Sequence, residues 1–168
     1  DGMERLYFLS REGEVLKQVY DIWGNHADAS PPSEYLVLSR RSVTVPMIRG
    51  IDEIEAIARS TYFENHVSNF VWERYGLMLS DEEWADIARQ GLLKADQLVE
   101  VIDGQIDHLK PLLAALLPRI LAQAQAERPG VMAYLNEMGL NDGKKFALVD
   151  VGYSATIQGR LNQLVDSK

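Results

Sequence analysis

The sequence predicts an α/β fold: a small parallel sheet of three or more strands, flanking helices, and a large all-helical insertion at about 50–140. Three observations predict it. The short apolar runs Leu6–Leu9, Tyr35–Leu38 and Phe146–Val149 lack helical spacing and read as buried strands. The first and third pass into a polar loop and then a helical pattern, the unit from which parallel sheets are built. Between the second and third lies a long stretch whose apolar residues recur at three- and four-residue steps.

Each element follows from local pattern. Strand one ends in Ser10-Arg11-Glu12-Gly13, and Val15, Leu16, Val19, Ile22 and Trp23 then mark a helix over Glu14 to Trp23. The polar segment 24–32 is a turn region. Strand two ends in Ser39-Arg40-Arg41-Ser42, so both early strands run into Ser-Arg. In the insertion, Ile51, Ile54, Ile57 and Ala58 form one stripe, and Val67, Phe70, Val71 and Tyr75 another within a helix over 63–75. Ser80-Asp81-Glu82-Glu83 has the form of a capping box. Leu92, Leu93, Ala95 and Leu98 fit a short helix. A longer helix spans Gln105 to Ala126, with Pro111 and Pro118 as breaks or starts, and Pro129-Gly130 opens another that stops near Gly139. Trp23, Trp72 and Trp84 occupy helical apolar positions and are expected in the core. The third strand ends at Asp150, followed by a small-residue loop and a helix over Ile157 to Val165.

Composition narrows the function classes. A chain of 168 residues, 46% hydrophobic and 25% charged, has the makeup of one soluble domain, so 1–168 is read as a single α/β domain with its insertion. Cysteine is absent, which excludes disulfides, thiolate metal sites and Cys nucleophiles and fits a cytoplasmic location. With Lys+Arg at 17 against Asp+Glu at 25, the net charge of −8 argues against a nucleic-acid partner. The greasiest stretch, Leu112 to Leu121, is broken by Pro118 and Arg119 and falls short of the roughly 20 residues a membrane span needs. Asp1-Gly2-Met3-Glu4 carries no signal-peptide pattern, and the abrupt start reads as a piece of a longer protein. His26, His66 and His108 show no ligand spacing, so no transition-metal site is expected.

The chemistry is expected at the strand ends, because ligands of open parallel sheets bind beyond the carboxyl ends of the strands. Those ends deliver Ser10, Arg11 and Glu12; Ser39, Arg40 and Arg41; and Asp150, Gly152, Tyr153, Ser154 and Thr156. Three guanidiniums and several hydroxyls beside helix N-termini suit a phosphate. Arg11, Arg40 and Arg41 would neutralise it, and Gly152, Ser154 and Thr156 would cradle it. Asp150 is the candidate catalytic residue, positioning a hydroxyl or a Mg2+. The bland alternative is that Ser154 or Thr156 caps the last helix while Asp150 accepts hydrogen bonds from its turn, that Ser10–Gly13 is a helix cap with Arg11 paired to an acidic neighbour, and that Arg40-Arg41 is a solvated strand end.

The three segments Leu6–Gly13, Tyr35–Arg41 and Val149–Gln158 together resemble the C-terminal region of predicted hydrolases of the haloacid dehalogenase superfamily, found in bacterial surface-polysaccharide and glycosyltransferase gene neighbourhoods. The resemblance implies a phosphatase-like hydrolase domain upstream as a partner in the same longer protein. The Asp-x-Asp catalytic motif of that superfamily is matched only by Asp150-Val151-Gly152, with Gly at the second carboxylate, and 18 residues after Asp150 are too few for the rest of that fold. A weaker resemblance is to type I phosphoribosyltransferases, with Ser10–Gly13 in the place of their pyrophosphate loop and Asp150–Thr156 in that of their 5′-phosphate loop. That family has two adjacent acidic residues where this chain has Asp150-Val151. The Asp-x-Gly-x-Ser/Thr loop of actin-like kinases is a third likeness, but it joins two strands, and a helical pattern begins here at Ile157. The sequence thus predicts a phosphate- or phosphosugar-recognising domain, and as the alternative a non-catalytic accessory module that docks a hydrolase or glycosyltransferase domain.

Overall fold

A computed structural model describes residues 2–26, 30–152 and 156–166. The chain is α/β, and it divides into two compact units: residues 1–43 with 129–168, and residues 44–128.

The first unit is built on a parallel sheet of β1 (Arg5–Leu9), β2 (Ser33–Leu36) and β5 (Phe146–Val149) in the order β2-β1-β5. β1 is the central strand, paired on both edges, and its second half is the most deeply buried part of the sheet. Tyr7, Phe8 and Leu9 are buried, so both faces of the strand need cover. On the Phe8 side lies α1 (Gly13–Gly24), whose Tyr20 ring sits 5.6 Å from that of Phe8. A Cβ on Gly13 would lie 2.8 Å from the Phe8 carbonyl carbon, so only glycine lets the helix start this close to the strand. The far end of α1 is tied to β2 by Asp21, which accepts from Ser33 and pairs with Lys17. Both bonds hold the Asp21 carboxyl below its usual range, Lys17 first.

On the Tyr7 side lie the last turns of α6 (Lys110–Glu137). The Tyr7 hydroxyl donates to the Met138 carbonyl at 2.5 Å, and Arg5 donates to the same oxygen at 3.1 Å. α6 stops at Gly139 (φ +77°). Leu140 N–H donates to the Leu135 carbonyl and Gly139 N–H to that of Asn136, which completes a Schellman motif. Pro118 and Pro129 therefore do not divide this helix, contrary to the sequence expectation. Both are exposed, as are Ala114 and Gln125, whose carbonyls lose their i→i−4 partners, so water can satisfy them. α7 (Thr156–Asp166) follows β5 and buries Leu161 and Leu164.

The second unit is mostly helical: α3 (Ile51–Ala58), α4 (Val67–Tyr75), α5 (Asp81–Arg89) and residues 110–128 of α6, after the short α2 (Arg40–Thr44) and a 3-10 turn at Val45–Met47. It is not all-helical. β3 (Tyr62–His66) and β4 (Leu98–Val101) form an antiparallel pair where the sequence expectation placed helix. Alternation explains β4: Val99 and Val101 are buried, Leu98 and Glu100 exposed. The core of this unit gathers Ile54, Phe70, Tyr75, Leu109, Leu113 and Ile120, with the Tyr75 hydroxyl donating to the Ile54 carbonyl at 2.8 Å. Trp84 joins it, whereas Trp72 here and Trp23 of α1 are exposed, against expectation. The capping box is present as expected: Glu83 N–H donates to Ser80 Oγ, and Ser80 N–H donates to Glu83 Oε2. The Ser80 bond first, and then the ion pair with Arg119, hold the Glu83 carboxyl below its usual value.

Gly13→Ala should lower stability by about 1–3 kcal/mol, because the new methyl meets backbone that cannot yield; thermal or urea unfolding measures it. Ser80→Ala should cost about 1 kcal/mol at neutral pH. Because the folded state lowers the Glu83 value, its contribution is complete above its ordinary value of 4.5 and is lost as the pH falls through the lower folded value. Melting curves of wild type and Glu83→Gln should therefore converge as the pH falls below 4.5, whereas those of wild type and Ser80→Ala stay apart, because the Glu83 N–H bond to Ser80 Oγ does not titrate. A Glu83→Gln curve that stays parallel to wild type would contradict this.

Candidate functional site

The sheet order fixes where a ligand site can form. From β1 the chain moves to β2 on one side, and it returns to β5 on the other. The strand order reverses between β1 and β5, and such switch points open a crevice at the carboxyl edge of a parallel sheet. Leu9 pairs with Leu36, and Phe8 with Val149, so all three strands end at nearly one level. The sequence-predicted residues Ser10, Arg11, Glu12, Asp150 and Gly152 therefore come to one edge, with the start of α1 beside them. Tyr153 and Ser154 lie outside the described residues, and so does the side chain of Thr156, whose backbone opens α7.

The local bonds sort these residues by role. Ser10 ties β1 to the segment after β2: its hydroxyl donates to the Leu38 carbonyl at 2.7 Å and accepts from Leu38 N–H at 3.1 Å. Ser39 stands before α2 and accepts from Ser42 N–H at 3.1 Å, while its own N–H donates to Ser42 Oγ at 2.8 Å. Ser39 thus caps the first turn of α2, whereas Ser10 does not cap α1 and instead braces β1 against the segment after β2. Arg40 and Arg41 form the first turn of α2, not a strand end, and both are partnered. Glu12 Oε2 accepts from Arg11 N–H at 3.3 Å. The peptide joining Ser10 to Arg11 is cis. The Arg11 side chain is exposed and makes no ion pair among the described residues.

Asp150 Oδ1 accepts from Gly152 N–H at 2.8 Å, an Asx turn that fixes the carboxylate at the edge of β5 and leaves Oδ2 outside that bond. A Cβ on Gly152 would lie 3.1 Å from Oδ1, so glycine suits this tight return. Among the described residues no three His, Asp or Glu side chains converge as a metal centre. A Mg2+ at this edge would rest on Asp150 and on the ligand's own phosphate oxygens.

One residue at this edge escaped the sequence reading. Tyr134, near the end of α6, accepts from Val37 N–H at 2.9 Å through its hydroxyl, which leaves the O–H proton for another acceptor. Nothing local marks it, because it lies 97 residues along the chain from its partner. No protein-family model matches the chain, and no curated protein matches it. No helix among the described residues is long and apolar enough to cross a membrane.

Ser10→Ala should cost about 1–2 kcal/mol of stability with no ligand present, because it strips two hydrogen bonds from a half-buried junction. Arg11→Ala should stay within about 0.5 kcal/mol of wild type, as exposed substitutions do. Denaturant titration of both variants checks the assignment of bracing to one and not the other.

Proposed function

We propose that the carboxyl edge between β1 and β5 recognises a phosphorylated small molecule, a phosphosugar above all, within a bacterial hydrolase-like protein of the haloacid dehalogenase type linked to cell-surface polysaccharide biosynthesis and working in the cytoplasm. The observation that carries the reading is the switch point, with the exposed Arg11 guanidinium on one side and the anchored Asp150 carboxylate on the other. Arg11 neutralises the phosphate, assisted by the positive field of Arg40 and Arg41 in the first turn of α2. Asp150 holds a sugar hydroxyl or shares a Mg2+ with the phosphate, and the Tyr134 hydroxyl offers a neutral donor. Where the site turns its ligand over, transfer or hydrolysis of a phosphorylated sugar is the class, since positioning and charge neutralisation dominate such chemistry. Asp150 lacks the second carboxylate of the haloacid dehalogenase motif, so that superfamily's own reaction is assigned to the upstream domain.

A second reading, an accessory module docking a hydrolase or glycosyltransferase domain, is favoured by one feature of the helical unit. Trp72, Leu77, Met78, Leu79 and Trp84, with Asn69 at the side, line an open groove of about 360 Å3, and Trp72 and Met78 are exposed.

A thermal-shift panel of phosphate, pyrophosphate, sugar phosphates, nucleotide sugars and phosphoribosyl pyrophosphate, each with and without Mg2+, decides between the readings. A true ligand at 100 times its Kd should add about 2.7 kcal/mol of stability, and Arg11→Ala should abolish the shift. A panel with no shift, or a shift that Arg11→Ala leaves intact, would overturn the phosphate reading.

A further inference from the structure

α1 has two apolar faces, and the sheet uses only one of them. Gly13 and Tyr20 face Phe8, as described above. The other face carries Val15, Val19, Ile22 and Trp23, which are 63%, 60%, 66% and 59% exposed, with Leu16 at its margin. These residues recur at steps of three, four and seven along the helix, the spacing of a seam that packs against another helix. Exposed leucines or valines scattered singly are ordinary, but a contiguous stripe along a whole helix is not.

We propose that this face of α1 pairs, antiparallel, with the same face of a second copy of the chain, around a two-fold axis at Val19. Three features of the stripe select a second copy as the occupant. It is centred on Val19, with Val15 and Leu16 on one side and Ile22 and Trp23 on the other, so a two-fold axis sets Val15 against Trp23 and Leu16 against Ile22, apolar against apolar throughout. It is free of charge, so two chains of net charge −8 meet there without opposing carboxylates. At the ends, Arg11 and Glu12 of one copy come toward Asn25 and His26 of the other, which again brings no like charges together. The area is also sufficient: five side chains exposed to this degree present on the order of 500 Å2, so the pair buries about 1,000 Å2, the lower bound for a specific interface. The inference is independent of the phosphate reading, since neither requires the other.

The test is the solution mass of the full chain, by light scattering or sedimentation, from about 1 to about 100 μM, the range in which an interface of this size associates. Twice the chain mass at the upper end, falling toward the single-chain mass on dilution, is expected, and Val19→Glu should give the single-chain mass throughout. Because the chain has no cysteine, Val19→Cys supplies a second readout that needs no loss of stability. It should form a disulfide-linked dimer under mild oxidant far faster than the exposed control Gln90→Cys. Single-chain mass at every concentration, a Val19→Glu chain that still dimerises, or equal cross-linking of the two cysteine variants would overturn the proposal.

Discussion

A strand that is apolar on both faces and hydrogen-bonded along both edges leaves its backbone no contact with water. β1 is such a strand, and the first unit is arranged around that condition. Its peptide groups are satisfied by β2 on one edge and β5 on the other. Its side chains demand cover on both sheet faces, which the start of α1 and the end of α6 provide through Gly13 over Phe8 and Met138 against Tyr7. Arg5 stands at the start of the ladder, with its guanidinium on the Met138 carbonyl, and polar residues return only after Leu9. The polar cluster at the carboxyl edge is thus a consequence of burying Tyr7, Phe8 and Leu9, which admit no charge among them.

The parallel sheet was legible because buried strands of this kind are continuous apolar runs. β2 shows the limit of that signal. The apolar run Tyr35–Leu38 points to a strand two residues later than the one that forms. As an edge strand it tolerates Ser33 and Glu34 in the ladder, while Leu38 spends its N–H on the Ser10 hydroxyl. β3 was illegible for a different reason. Tyr62-Phe63-Glu64-Asn65-His66 has neither alternation nor β-branched residues, and it is held as a strand by its partner β4. The prolines of α6 misled because local propensity counts a missing N–H but not whether water can reach the carbonyl left behind. Trp23 and Trp72 misled because periodicity reports that a helix has an apolar face, not how many such faces are covered.

For the candidate site, position was readable and role was not. The rule that ligands gather at strand ends places Ser10, Arg11, Glu12, Asp150 and Gly152 at one edge from the sequence pattern alone. Which of them brace the fold depends on partners far along the chain. Ser10 reaches Leu38, and Val37 reaches Tyr134, separations that no local pattern encodes. Of the residues that the sequence offered at this edge, Arg11 and Asp150 are among the charged ones that the structure does not use to brace one strand against another. The acidic balance of the whole chain makes that local positive charge the feature on which anion binding would depend.

The insertion also has a cost in time. β1 and β2 lie at the beginning of the sheet unit, and β5 emerges only after the entire helical unit has been made. At a synthesis rate of about 5–20 residues per second, the β5 edge of β1 waits roughly 7–27 s for its partner. During that interval a greasy strand presents unpaired N–H and C=O groups on the side that will later bear the candidate site. The helical unit, whose core lies wholly between Val45 and Ala124, can be complete before this edge closes. The nascent chain can therefore pass through a state in which the helical core is finished and the β5 edge of β1 is still open, and there its hazard of wrong pairing is greatest.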